Sequence, residues 1–81
     1  MNTIVYKTQG TCSREIHIDL EGDVIAKVTF VGGCPGNTLG VSALVVGMRV
    51  EEAISRLEGI RCGAKSTSCP DQLALALKTA I

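Results

Sequence analysis

The sequence predicts an α+β protein, in which a three-stranded antiparallel sheet is followed by three helices packed on one face of the sheet. Two observations support this prediction. In the first third of the chain, apolar and polar residues alternate as they do in half-buried strands. Further along, apolar residues recur at the three- and four-residue spacing of helices. Strands that precede helices in this way are typical of the α+β class.

Residues 15–20 and 24–31 carry the clearest strand pattern, because apolar and polar residues alternate in both runs. Gly22 lies between them and supplies the turn of an antiparallel hairpin. A β-rich run over residues 3–7 adds a third strand, joined to the hairpin by a loop that contains Cys12. The residues predicted to share the apolar face of the hairpin are Ile16, Ile18, Leu20, Ala26, Val28 and Phe30.

Three helices are predicted from apolar residues at helical spacing. Asn37 or Thr38 is the expected N-cap of the first helix, and Gly59 suits the C-cap of the second. Ser68, with Asp71 three residues later, predicts a capping box at the start of the third helix. The predicted apolar faces are Val41, Leu44, Val45 and Met48, then Val50, Ala53, Ile54 and Leu57, and finally Leu73, Ala76, Leu77 and Ala80.

The composition of the 81-residue chain argues against several classes of partner. Eight basic and eight acidic residues cancel, so the positive charge needed to bind a phosphate backbone is missing. Tyr6 and Phe30 are the only aromatic residues, too few for base stacking. The chain start does not resemble a signal peptide, and no apolar run approaches the roughly 20 residues that span a bilayer. We expect a single cytoplasmic domain, residues 1–81, without nucleic acid or membrane partners.

Four cysteines are the candidate functional residues, and metal binding or redox use is the favoured interpretation. In the cytosol, thiols and metal ligands are expected rather than structural disulfides. All four cysteines lie in predicted loops or helix caps, where function concentrates, and none lies on an apolar face. The alternative is that they are small buried hydrophobic residues, as cysteines commonly are. The candidates are Cys12, Cys34, Cys62 and Cys69.

Two of these cysteines directly precede a proline at a predicted helix start, in Cys34-Pro35 and Cys69-Pro70. Backbone N–H groups and the positive end of the dipole at a helix start favour a thiolate. Proline suits the first turn, because its missing N–H would have had no partner there. Cys62 lies in the loop before the last helix, close enough to Cys69 for both to point at one site. The spacing alone contains no C-x₂-C knuckle and leaves a shared metal site undecided.

The other polar candidates have simpler explanations. His17 lies on the polar face of a strand and is expected to be a solvated residue rather than a ligand or base. Asp71 is explained by capping, and Lys65 is expected to be solvated. We expect no catalytic activity from the chain on its own. A thiol enzyme with Cys69 as nucleophile is a further alternative, but the sequence offers no base to activate it.

The chain resembles the TSCPD domain family, whose name is spelled by residues 67–71. GGCPGN at residues 32–37, GIRCG at 59–63 and TCSREI at 11–16 are similar to the rest of that family's pattern, so the resemblance covers nearly the whole chain. Members occur alone and fused to some ribonucleotide reductases, and stand-alone members are often labelled ribonucleoside-diphosphate reductase. The resemblance implies an accessory or regulatory role linked to that enzyme as an alternative function.

A more distant resemblance is to the U-type iron–sulfur cluster scaffold proteins, in which three strands precede the helices. Three cysteines of those proteins hold a two-iron cluster or zinc, and the resemblance implies that they converge. The matching positions here are Cys12, Cys34 and Cys69. Cys62 would replace the non-cysteine ligands. The scaffold's assisting aspartate corresponds to Arg14, and its histidine beside the last cysteine corresponds to Ser68, which argues against cluster assembly and transfer.

The sequence and the resemblances together predict a small cytoplasmic metal-binding module, in which four thiolates hold zinc or an iron–sulfur cluster. An accessory module for ribonucleotide reductase, with structural or redox-active cysteines, stays open as the alternative. Exposed sheet edges and a small core also make a homodimer reasonable.

Overall fold

The computed structural model describes residues 2–10, 13–32, 35–61, 63–64 and 66–80. In chain order the elements are β1 (Asn2–Lys7), β2 (Ser13–Glu21), β3 (Val24–Gly32), α1 (Pro35–Val45), α2 (Val50–Leu57) and α3 (Cys69–Lys78). The predicted order of three strands followed by three helices is confirmed. The protein therefore has an α+β fold.

The three strands form one antiparallel sheet in the order β1-β2-β3. The predicted hairpin is confirmed, and Gly22 adopts a φ of 62° in its turn, a conformation that glycine reaches without strain. Helix α1 packs against β3, and helix α3 packs against β2. The sheet face beneath them carries Ile16 and Ile18, which are fully buried as predicted. The core thus lies between one face of the sheet and the helices.

A β-bulge in β3 changes which residues face the core. Asp19 pairs with Lys27, but the next residue, Leu20, pairs with Ile25, so Ala26 is the extra residue of the bulge. Ile25 is consequently 1% exposed, although strict alternation predicts Ala26 at the core-facing position. Ala26 is only half-buried, so that prediction is wrong. A single extra residue shifts the period of two and cannot be read from the alternation itself.

Helix α2 matches its prediction, since Val50, Ala53 and Ile54 are buried and Leu57 packs against the core. The C-cap is Glu58 rather than the predicted Gly59, which follows it with a φ of 85°, as suits the residue just beyond a C-cap. Helix α3 buries three of its four predicted apolar residues. The fourth, Ala80, is exposed and lies beyond the end of α3. The last turn is closed by the backbone N–H of Thr79, which donates to Ala76 at 3.1 Å.

Helix α1 departs most from its prediction. It begins at Pro35, so Asn37 and Thr38 lie inside the helix and the predicted N-cap is wrong. Proline at a first helical position has its φ already set for the helix, which explains the earlier start. Leu44 is 73% exposed, although its spacing places it on the predicted apolar face. The helix carries no charged residue to mark an outer face, so more than one apolar stripe satisfies the same spacing.

None of the helices in the described ranges is both long and apolar enough to cross a membrane.

Candidate functional site

Cys69 is the first residue of α3, and side-chain capping fixes this helix start. Ser68 is the N-cap, with φ −153° and ψ 171°, and its Oγ accepts from the backbone N–H of Asp71 at 3.1 Å. Pro70 occupies the first turn, where it removes no helical hydrogen bond. One bond of the predicted capping box, from the backbone N–H of Asp71 to the hydroxyl of Ser68, is therefore confirmed. Cys69 itself is 8% exposed, so its thiol lies on the protein side of the helix start.

The start of β2 contacts Cys69 and pairs with the end of β3. Ser13, the first residue of β2, is buried, and its Oγ lies 3.3 Å from the Sγ of Cys69. Ser13 also pairs with Gly32, the last residue of β3. In the sequence, Cys12 directly precedes Ser13 and Cys34 follows Gly32 by two residues. Ser13 and its partner Gly32 are therefore the described residues that lie next to these two cysteines in the sequence.

The loop before α3 is anchored to the same helix start. The hydroxyl of Ser68 donates to the backbone carbonyl of Ile60 at 2.6 Å. The backbone N–H of Gly59 donates to Oδ1 of Asp71 at 2.7 Å. Cys62 follows Ile60 by two residues in the sequence. Ser13, Gly59 and Ile60, which lie near Cys12 and Cys62 in the sequence, therefore form contacts with the start of α3. Gly32, which lies near Cys34 in the sequence, pairs with Ser13.

A buried polar network next to Cys69 includes residues that sequence analysis did not single out. The Thr67 hydroxyl donates to Oδ2 of Asp71 and accepts from Nε2 of Gln72 at 3.0 Å. Oε1 of Gln72 in turn accepts from the backbone N–H of Gln9 at 3.1 Å. Thr67 and Gln72 are buried. The one signal in the sequence was Gln72, a polar residue near the start of a helix that is otherwise rich in Leu and Ala.

The network explains why threonine, serine and aspartate surround Cys69 in the segment TSCPD. Each of the three makes side-chain hydrogen bonds that hold the helix start or a loop against it. The family model of the TSCPD domain matches residues 2–81. The chain belongs to the TSCPD domain family. Comparison with curated proteins and with solved structures finds no match. The similarity to U-type scaffold proteins stays a prediction.

The structure of this TSCPD domain describes one of the four predicted site residues. Cys69 is described, whereas Cys12, Cys34 and Cys62 lie outside the described residues, as does Lys65. Within the described part of the chain, no group of three or more His, Cys, Asp or Glu side chains could hold a metal ion. The four-cysteine site therefore stays a prediction.

The structure also describes His17 and Asp71, two of the other polar residues considered as candidates in the sequence. His17 is exposed on the sheet face opposite the helices, and its Nε2 lies 3.0 Å from Oε2 of Glu15. The prediction of a surface histidine is confirmed. Asp71 contributes its backbone N–H to the cap, as predicted, but its carboxylate accepts from Thr67 and Gly59. Capping therefore explains only half of what Asp71 does.

Proposed function

We propose that this TSCPD domain is a metal-binding module, in which four cysteine thiolates hold a zinc ion or an iron–sulfur cluster. The observation that carries the proposal is the 3.3 Å approach of Ser13 Oγ to Cys69 Sγ. Ser13 follows Cys12 directly in the sequence, and its strand partner Gly32 precedes Cys34 by two residues. The proposed ligands are Cys12, Cys34, Cys62 and Cys69.

The donor set suits these metals. Four thiolates are soft ligands, and a four-sulfur site is typical of zinc or of an iron–sulfur cluster. Bound zinc would link three segments of the chain and stabilise a domain whose small size limits its core. A bound cluster would supply electron transfer. Both options would explain why the sequence pattern assigns the cysteines to loops or helix caps rather than to the apolar faces of the helices and strands.

The surroundings of Cys69 favour a metal-bound sulfur. A helix start favours negative charge, and Cys69 is the first residue of α3. A thiolate has no proton to donate, so the Ser13 hydroxyl becomes the donor in their contact. Hydrogen bonds to ligating sulfur orient the ligand and tune the metal. The residues of this chain would thus bind and orient the metal while the β-sheet and α3 keep Cys69 largely away from water.

Anaerobic purification followed by measurement of zinc, iron, sulfide and the visible spectrum tests the proposal. We expect one zinc ion, or one coloured cluster with matching iron and sulfide, per chain. Serine replacement of each cysteine in turn should lower the metal content. Ser55→Ala, at an exposed hydroxyl on α2, is the control that should leave it unchanged. Colourless protein with little zinc or iron and four freely titrating thiols would contradict the proposal.

A second candidate function, binding to a protein partner, is favoured by the outer surface of α1. Leu39 and Leu44 project from this helix largely exposed, and Val46 just beyond it is half exposed. Three large exposed apolar side chains thus lie within eight residues of the chain, and exposed apolar patches mark interaction sites. Family fusions to ribonucleotide reductase suggest that enzyme as the partner.

Titration of purified ribonucleotide reductase with this protein tests the second candidate. We expect micromolar binding that Leu39→Arg and Leu44→Arg abolish while the metal content stays unchanged. Lys27→Glu, on the outer face of the sheet, is a control that should bind normally. Sedimentation of the protein alone detects a homodimer that uses the same surface. Absence of reductase binding at micromolar concentration contradicts the reductase role.

A further inference from the structure

We infer that Thr67, Asp71 and Gln72, called the α3 clamp from here on, position the cysteine ligands by fixing two separate loops against the start of α3. The inference rests on the proposed function, because it assigns these side chains to the same four-sulfur site. It goes beyond that proposal by giving a task to three residues that are not ligands themselves.

The first arm of the α3 clamp holds the loop between β1 and β2. Oε1 of Gln72 accepts from the backbone N–H of Gln9, a bond between residues 63 positions apart. The next residue, Gly10, has a φ of 75°, and a Cβ built on it would lie 3.0 Å from Cγ2 of Thr67. This loop backbone therefore packs directly on the clamp. Gln9 and Gly10 are thus fixed relative to α3, and Cys12 follows Gly10 by two residues in the sequence.

The second arm holds the loop between α2 and α3. Oδ1 of Asp71 accepts from the backbone N–H of Gly59, and Ser68 reinforces the arm by donating to Ile60. Cys62 lies three residues beyond Gly59. A cap for α3 alone needs only the Ser68 hydroxyl, so the Asp71 carboxylate is doing something other than capping.

The two arms are joined into one chain of hydrogen bonds by Thr67, which donates to Asp71 and accepts from Gln72. Because Thr67 and Gln72 are buried, water competes poorly for these bonds and the network is rigid when complete. A metal site requires its ligands to be held within about 0.5 Å of the productive geometry. Loss of such supporting bonds typically lowers metal affinity by about 10- to 100-fold.

Cobalt(II) binding to the reduced, metal-free protein tests the clamp, because the visible bands of cobalt report ligand geometry as well as affinity. We expect Thr67→Val and Asp71→Asn to bind cobalt about 10- to 100-fold more weakly, with shifted bands. Thr67→Ser keeps the hydroxyl and should restore the wild-type spectrum. Thr3→Val and Asp19→Asn are matched controls, because Thr3 and Asp19 form the same kind of bond on the exposed sheet face, at 2.9 Å.

The outcomes separate the clamp from the metal site. Wild-type protein that binds no cobalt contradicts the proposed function. Wild-type protein that binds cobalt, together with a Thr67→Val variant of equal affinity and identical bands, overturns the clamp inference alone. Circular dichroism of each metal-free variant shows whether it is folded. Should Asp71→Asn unfold, Thr67→Val still decides the inference, since valine has nearly the shape of threonine and lacks only the hydroxyl, which Thr67→Ser retains.

Discussion

Helices α1 and α3 each begin within a Cys-Pro dipeptide, yet they are held in different ways. Helix α3 has a Ser68 cap, an acidic residue in its first turn and a largely buried surface. Helix α1 has no acidic residue in its first turn and no basic one in its last, and Leu39 and Leu44 are exposed on it. The same dipeptide thus starts both helices, while the neighbouring residues decide whether a helix becomes an anchor or a surface.

Equivalent leucine substitutions in the two helices should show the largest contrast. Leu73 in α3 is fully buried, and Leu73→Ala removes core contacts and leaves a cavity, so we expect a loss of about 2–5 kcal/mol in the free energy of unfolding. Leu44→Ala in α1 removes an exposed side chain and should change it by at most about 0.5 kcal/mol. Urea denaturation measures both. Equal losses would show that α1 is as buried as α3.

Removal of the N-cap hydroxyl should have a smaller effect. Ser68→Ala deletes the bond from Asp71 and the bond to Ile60, so we expect a loss of about 1–2 kcal/mol in the free energy of unfolding. Ser55→Ala, on the exposed side of α2, loses one hydroxyl contact with Glu52 and should cost less than about 0.5 kcal/mol. Thermal or urea unfolding compares the two. A Ser68→Ala variant as stable as Ser55→Ala would mean that this cap contributes little.

Glycine replacement in α1 should give the smallest change, and one of opposite sign. Gly40 lies inside α1, and a Cβ there would meet nothing within 4 Å. Gly40→Ala should therefore stabilise the protein by about 0.4–1 kcal/mol, because alanine loses less entropy than glycine on forming a helix. Urea denaturation again measures the change. Destabilisation by Gly40→Ala would indicate that another surface packs closely on α1 in solution.

The elements with a single apolar face could be predicted from the sequence, and those shaped by long-range contacts could not. Strand β2 and helix α2 show one clear period each, and the apolar residues that they bury match the prediction, whereas the buried Ser13 lies before the alternating run. The bulge at Ala26 breaks the period of two within a strand that otherwise follows it. In α1, apolar residues on every side remove the contrast that marks an inner face.

The candidate site was predictable only where its chemistry is local. The Ser68 cap follows from two residues three positions apart. The α3 clamp depends on Gln9, which lies 63 residues from its partner in α3, and on Gly59, which lies 12 residues from its partner. No local sequence pattern therefore predicts the clamp. The contact between Ser13 and Cys69 spans 56 residues and depends on how the sheet packs against α3. The fold therefore supplies a contact at Cys69 that the cysteine spacing alone does not reveal.

X-ray absorption at the edge of the metal bound to anaerobically purified protein tests the four-sulfur site most directly, because it counts the ligand atoms. A zinc-containing sample should show four sulfur ligands at about 2.3 Å, and an iron-containing sample should show iron surrounded by sulfur alone. Cys69→Ser should lose the metal or replace one sulfur with a lighter atom. A wild-type spectrum dominated by nitrogen or oxygen ligands, or one that Cys69→Ser leaves unchanged, would contradict the account.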